Sequence, residues 1–300
     1  MSSNKVVFAI SDVLGSYWLY TAVALASLLA HASEKPQILV LHDGTLHERA
    51  KQRLSLIAKH GGAQISYSRV ELQRPINNHQ LGPYTIASLY RLMIPSIIEG
   101  DEAVLYLDSD LVVHGVDVNG LFALIREKKA PLLAARDQFI SLSDSHRKHL
   151  EALGLKANSY LNSGVLGFYP SKLSSHDRSL LQDFFRWSAE VKESHHPDQE
   201  FLNLRFKDRW IEIDERYNFH VSVYQRRMFL ALADYDKKIL HYAGKTKPLD
   251  GSLAPGCIPF WSYTSQVPEL LSKPEPMKFH YLMPIAQRDH AASALVIKPR

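Results

Sequence analysis

Val104-Leu105-Tyr106-Leu107-Asp108-Ser109-Asp110 is the stretch from which the rest of the chain is read. Four apolar residues in succession predict a strand buried on both faces, and the run stops abruptly at two carboxylates spaced i and i+2. On extended backbone that spacing projects both to one face. Unpaired, they would repel and force a proton onto one of them. A hard divalent ion with oxygen ligands, Mn²⁺ or Mg²⁺, satisfies the pair instead. Ligands of open α/β sheets gather at the carboxyl ends of strands, where this pair falls. Taken alone, D-x-D is a weak signal, and two exposed aspartates in a turn carry the same spacing.

Outward from this strand, short β-branched runs alternate with amphipathic stretches. Strands are predicted at 6–10, 37–41, 64–67, 103–107, 132–135, 165–168 and 238–241, and helices at 17–30, 46–59, 86–94, 143–153, 173–193 and 199–206. The pattern predicts an α/β fold with a mostly parallel sheet flanked by helices. The clearest helix is 173–193, with Leu180, Leu181, Phe184, Trp187 and Val191 at helical spacing and a capping-box pair, Ser174 and Asp177, at its start. Gly61-Gly62 is expected to end the second helix. Residues 70–84 read as a long loop able to cover a site. From Pro248 onward the chain carries eight of its fifteen prolines, so 1–250 is expected to be the catalytic domain and 251–300 an irregular tail or small appendage.

Composition narrows the classes. Three hundred residues, 46% hydrophobic and 22% charged, bury a core without staples. The net charge of +4 is dispersed, with no basic block suited to nucleic acid. A lone cysteine, Cys257, excludes a disulfide framework and agrees with a reducing compartment. The apolar run 18–30 is followed by Ala30-His31-Ala32, which imitates a signal-peptidase site. Asp12 before the run, little positive charge and a first strand at 6–10 favour a core helix, and the run is too short to span a bilayer. Several familiar chemistries lack their parts. Gly244-Lys245-Thr246 has Ile239 where a P-loop needs its first glycine, and Asn162-Ser163-Gly164 has Leu161 where a nucleophile elbow needs one. His195-His196 reads as a solvated helix end.

A further strand ends in His241-Tyr242-Ala243-Gly244-Lys245-Thr246-Lys247-Pro248. His241 could complete a metal sphere and tilt it toward Mn²⁺. Gly244 would admit a phosphate close to the backbone, and Lys247 would neutralise it. A strand-end histidine with a purely structural role is the competing reading.

Six ordered segments now resemble one family: Tyr90-Arg91-Leu92; the strand ending in Asp108-Ser109-Asp110; Tyr160-Leu161-Asn162-Ser163-Gly164-Val165; Pro197-Asp198-Gln199-Glu200-Phe201-Leu202-Asn203; Tyr217-Asn218; and His241 to Pro248. Together they resemble glycosyltransferase family 8, the retaining, metal-dependent UDP-hexose transferases that include bacterial lipopolysaccharide and lipooligosaccharide galactosyl- and glucosyltransferases and, more distantly, glycogenin. The resemblance implies a glycosyltransferase A-type fold, mixed and mostly parallel. It implies Asp108, Asp110 and His241 as ligands of Mn²⁺, with Mg²⁺ the alternative ion. Ala9, Ser11 and Asp12 fall where the family holds uracil and ribose. Arg91 and Lys247 would meet diphosphate and sugar. Asn162, Asp137 and Asp198 would grip sugar hydroxyls, with Ser109, Ser163, Gly164 and Gly244 in the same donor-binding segments. Gln199 matches the residue beneath the anomeric carbon, which makes Gln199 and Asp198 the catalytic candidates.

The implied activity is Mn²⁺-dependent transfer of galactose or glucose from UDP-galactose or UDP-glucose to a saccharide or glycolipid acceptor. Lipopolysaccharide biosynthesis, in the cytoplasm or peripherally at the inner face of the membrane, would be its setting. The mildly basic, aromatic tail would supply any membrane contact, with a solvated tail that caps the core as the competing and favoured reading. A UDP-sugar-binding protein without transfer, a self-glucosylating protein like glycogenin and a nucleotidyltransferase are the alternatives. Two departures stand out: Ser11-Asp12-Val13-Leu14 replaces an Asp-Asp-Asn-Tyr-like sequence, and Leu249 stands where a tryptophan often follows Lys-Pro.

Overall fold

The structure, a computed structural model, describes residues 4–72, 85–98, 100, 102–140, 143–191, 193–223, 232–244, 247–252 and 255–272. Among these, β1 (Lys5–Ile10), β2 (Gln37–His42), β3 (Ile65–Arg69), β4 (Val104–Leu107), β6 (Leu132–Arg136), β7 (Leu161–Phe168) and β8 (Trp210–Glu212) form one sheet in the order β3-β2-β1-β4-β7-β6-β8. The β1–β2, β2–β3, β1–β4 and β6–β8 pairs are parallel, whereas β7 runs antiparallel to both β4 and β6. A second sheet joins β5 (Leu111–His114), β10 (Lys238–His241) and β9 (Phe219–His220) in the order β5-β10-β9. This is the mixed α/β architecture expected from the alternation.

Side-chain period 2 divides the core between the two faces of the large sheet. Val6, Phe8 and Ile10 of β1, with Leu105 and Leu107 of β4, enter one cluster. It is closed by α1 (Trp18–His31), α2 (Glu48–His60), α4 (Asn119–Lys128) and the second sheet. Val7 and Ala9, with Val104 and Tyr106, enter the opposite cluster, closed by α6 (Leu180–Glu190) and α7 (Pro197–Arg205). Apolar on every side, α1 is a core helix as expected, and no helix among the described residues is long and apolar enough to cross a membrane. Gly61 ends α2 where it touches α1: a Cβ there would lie 2.8 Å from Leu29 Cβ.

The structure departs from the expected elements where prolines or short strands intervene. Residues Ile86–Met93 form a 3₁₀ helix rather than an α-helix, and Pro95, which has no N–H to continue the ladder, opens the brief α3 (Ile94–Ile97). The long helix predicted at 173–193 is shortened to α6. Its capping box does form, with Ser174 N–H donating to Asp177 Oδ2 (2.9 Å) and Asp177 N–H to Ser174 Oγ (3.2 Å), but it caps a separate 3₁₀ turn, His176–Ser179. Arg209 holds Asp177 there from the far side (2.6 Å). Helix α5 (Asp144–Ala152) was expected, whereas α4, β5, β8 and β9 were not.

After residue 250 the described chain folds back on the domain. Phe260, Trp261, Tyr263, Val267 and Leu270 are buried in the same cluster as α1, with Phe260 at the centre of α8 (Ile258–Trp261). Most of the expected loop, residues 73–84, lies outside the described residues, as does the tail from 273 to 300.

Candidate donor and metal site

Two strand pairings assemble the site. The buried run of β4 ends at Leu107, and the chain bends through Asp108-Ser109-Asp110 into β5. Alternation persists through the bend: Ser109 turns inward, its hydroxyl donating to the Ala9 carbonyl (3.0 Å) and accepting from Thr21 of α1 (3.0 Å). Asp108 and Asp110 are thereby left on the other side. Antiparallel pairing of β5 with β10 sets His241 opposite Leu111, and Tyr242 N–H donates to the Asp110 carbonyl (3.0 Å). On the other flank, β7 pairs with β4, and Asp108 N–H donates to the Gly164 carbonyl (2.8 Å). Segments far apart in sequence therefore meet at the carboxyl end of β4.

Ligand atoms of Asp108, Asp110 and His241 lie within 4.8 Å of one another, the one such group among the described residues. His241 Nε2 is 3.7 Å from Asp108 Oδ2 and 3.7 Å from Asp110 Oδ1. Burial pulls the His241 pKa down to about 3, so its ring is neutral. Two carboxylate oxygens and a neutral imidazole suit a divalent transition ion such as Mn²⁺. Burial raises Asp108 above the usual carboxylate range despite Arg91. Burial acts the same way on Asp110, yet the Lys247 ammonium outweighs it and holds that group low.

Arg91 is the hub of the adjoining polar floor. Its guanidinium meets Asp108 Oδ1 (2.9 Å) and Asp198 Oδ2 (3.3 Å), donates to the Ser163 carbonyl (2.7 Å) and lies over the Tyr106 ring. Tyr106, which shares a face with Asp108, donates its hydroxyl to Asp108 Oδ1 (2.6 Å). Lys247 pairs with Asp110. The carboxylates of Asp108, Asp110 and Asp198 thus face the cations Arg91 and Lys247, an imbalance that a divalent ion would offset.

Asp198 and Gln199 lie in the first turn of α7, which Pro197 opens at its N-terminus. The Gln199 amide accepts from Ser163 N–H (2.9 Å) and donates to Asp137 Oδ2 (3.0 Å). Asp137 also accepts from Asn162 Nδ2 (2.8 Å) and from the N–H groups of Phe139 and Ile140. Asn162 Oδ1 in turn accepts from Gly164 N–H (2.9 Å) and from Asn218 Nδ2 (2.7 Å), and Asn218 Oδ1 meets His241 Nδ1 (2.8 Å).

The residues after β1 form a separate group. Asp12 Oδ1 accepts from Tyr17 N–H (2.6 Å) at the start of α1, its Oδ2 is buried with no partner, and Asp12 N–H donates to Thr45 Oγ1 (2.7 Å). Ser11 donates to Asp43 (2.6 Å), while Val13 and Leu14 are strongly exposed beside them. Gly244 is exposed with φ +79°, a conformation that favours glycine, whereas Lys245 and Thr246 lie outside the described residues. Asn218, Tyr106, Asp43 and Thr45 were not singled out as site residues from sequence. For Asn218 the Tyr217-Asn218 step was the available signal, and for Tyr106 its i−2 spacing from Asp108 was.

Residues 6–250 match the family Glycosyl transferase family 8. A glycosyltransferase GlyF of Streptococcus pneumoniae serotype 4 is 29% identical over 176 residues, covering 57% of this chain and 40% of that protein. The lipopolysaccharide glucosyltransferase WaaO of Escherichia coli K12 is 29% identical over 171 residues, covering 55% of this chain and 49% of its own length. The chain thus spans half or less of these curated relatives. A crystal structure of galactosyltransferase LgtC with donor and acceptor sugar analogs superposes with a TM-score of 0.68 at 24% identity, covering 92% of this chain and 99% of that one, which shows the shared fold.

Proposed function

Because the chain belongs to glycosyltransferase family 8, we propose that it is a retaining, Mn²⁺-dependent transferase that moves a hexose, galactose or glucose, from a UDP-sugar to a saccharide or glycolipid acceptor. The observation that carries this reading is the convergence of Asp108, Asp110 and His241 at the carboxyl end of β4. A bound divalent ion would act as a Lewis acid toward the charge of the departing UDP.

The chain's own groups divide the remaining work. Arg91 and Lys247, each within reach of a metal-binding carboxylate, would turn toward the diphosphate and stabilise its developing charge. Ser11, Asp12 and the Ala9 backbone would receive uridine, with Ser109 bracing that strand end against α1. Asn162, Ser163 and Asp198 would line the sugar, with Asp137, expected there too, instead filled by Asn162, Gln199 and backbone donors and holding them in place, and Gly244 would let the backbone approach a phosphate. As the anomeric carbon becomes oxocarbenium-like, retention requires a covalent intermediate or attack from the leaving-group face. Gln199 is an amide whose two ends are already hydrogen-bonded, and Asp198 is held by Arg91 and Ser163. Same-face attack is the favoured course, the departing phosphate taking the acceptor's proton. A cytoplasmic setting completes the reading; of the segment expected to meet the membrane, the described residues 255–272 pack into the core instead, and 273–300 lie outside the described residues.

The test is UDP release from UDP-galactose, UDP-glucose and UDP-N-acetylglucosamine, with Mn²⁺ or with chelator. Slow, chelator-sensitive release from one hexose donor is expected. UMP as the product would replace transfer by nucleotidyl chemistry. Mn²⁺-dependent UDP binding without release from any donor or acceptor mixture would replace it by a binding protein.

A further inference from the structure

We propose that Asn218 is a positioning residue that sets the tautomer of His241, so that the lone pair of Nε2, not an N–H, faces Asp108 and Asp110. The inference deepens the metal-dependent reading above and rests on it for its consequence, although the tautomer itself is a property of the free protein.

A neutral imidazole carries one N–H, and which nitrogen bears it depends on the partners. His241 Nδ1 lies 2.8 Å from Asn218 Oδ1, while Nε2 faces the two carboxylates at 3.7 Å. The carboxylates alone would draw the proton to Nε2 and spoil it as a ligand. The outcome therefore turns on whether Asn218 presents oxygen or nitrogen to the ring.

The surrounding network fixes that direction. Gly164 N–H can only donate, so the Asn162 atom that receives it at 2.9 Å is the oxygen. At its other end Asn162 donates Nδ2 to Asp137, whose carboxylate also accepts the N–H groups of Phe139 and Ile140. Asn162 is thus pinned at both ends. It can only accept from Asn218, which must offer Nδ2 to it (2.7 Å) and Oδ1 to His241. A directed chain of amides therefore runs from Asp137 through Asn162 and Asn218 to His241. Asn218 is fully buried, with Asn162 and His241 at the two ends of its side-chain amide and Gln138 Nε2 donating to its backbone carbonyl (3.0 Å), so the amide has no water to turn toward. A partner that fixes the orientation and tautomer of a ligating histidine commonly governs metal affinity.

The experiment reads tautomer and metal separately. In a ¹⁵N-detected histidine side-chain spectrum of the metal-free protein, His241 should be the Nδ1–H tautomer. Asn218→Leu, similar in size but unable to accept, should shift it to Nε2–H and weaken Mn²⁺ binding about 10–100-fold by electron paramagnetic resonance titration. Asn218→Asp, which keeps an acceptor toward Nδ1, should retain the tautomer and bind Mn²⁺ more tightly than the leucine variant. Should the leucine variant fail to fold by circular dichroism, the wild-type and aspartate spectra still decide. An Nε2–H tautomer in the wild type, or a folded leucine variant with unchanged tautomer and affinity, overturns the proposal. A wild type with Nδ1–H that binds no Mn²⁺ would instead sink the transferase reading and leave the role of Asn218 standing.

Discussion

Individual residues in this site do more than their side-chain type advertises. Gly164 shows it by having none: a Cβ there would lie 2.4 Å from His241 Cε1 and 2.8 Å from Nδ1. Real atoms do not approach so closely, so Gly164→Ala should push the ring off the carboxylates. We expect Mn²⁺ binding to be lost while the fold is destabilised by about 1–3 kcal/mol, the usual range for overpacking. Paired metal titration and urea unfolding measure both, and wild-type affinity in the variant would show that the ring has room to move. The ligands themselves are predicted to be indispensable. Asp108→Asn and His241→Ala should abolish UDP release, whereas Gln199→Ala should leave measurable turnover, because same-face attack asks no covalent bond of the amide. A Gln199→Ala enzyme as inactive as the metal-ligand variants would remove the main support for that course.

At the scale of elements, hydrogen bonds redirect what helical periodicity implies. The apolar spacing of 173–193 is real, yet Asp177 spends its carboxylate on Ser174 and Arg209 and closes a 3₁₀ turn before α6 begins. Burial raises the Asp177 pKa, but the Arg209 and Ser174 hydrogen bonds outweigh it and leave the group below its ordinary value. A depressed carboxylate stabilises the fold above its unfolded pKa and loses that contribution as pH falls through the folded value. Asp177→Asn should therefore cost about 1–3 kcal/mol near neutrality. The difference from wild type should shrink progressively below about pH 4, the ordinary aspartate range. Unfolding curves across that interval check the sign, and a pH-independent difference would mean that shape rather than charge holds the turn.

Across the whole molecule, residues 255–272 are part of what holds the site. Phe260 packs on Tyr20 of α1 (ring centroids 5.4 Å apart) and on Tyr242 (6.0 Å), the residue after the proposed metal ligand His241, and the Tyr242 hydroxyl donates to the Gly256 carbonyl (3.0 Å). Phe260→Ala should cost about 3–5 kcal/mol, as for other buried aromatics. A loss below 1 kcal/mol in denaturant unfolding would place the segment outside the cooperative core. Much of the fold was legible beforehand: β1, β2, β4, β6 and β10, the helices α1, α2 and α7, and the abrupt end of Leu107 at two aspartates all rest on local apolar patterning. Strands β8 and β9 were not, because two or three residues carry too little periodicity to register, and neither was β5, whose apolar residues follow directly on the bend at Asp108-Ser109-Asp110. Yet pairing of β5 with β10 is what sets His241 beside Asp110. The sequence by itself determined the residue types at each strand end and, through six ordered motifs, the family. Tertiary structure alone decided which of those residues touch: that Asp137 is filled by internal donors, that Ser109 braces β1, and that Asn218 meets His241. The reason is physical, since strand and helix periods are properties of neighbours in the chain, whereas hydrogen-bond direction and steric room in a site depend on segments up to 100 residues or more apart, as with Ser109 and Ala9.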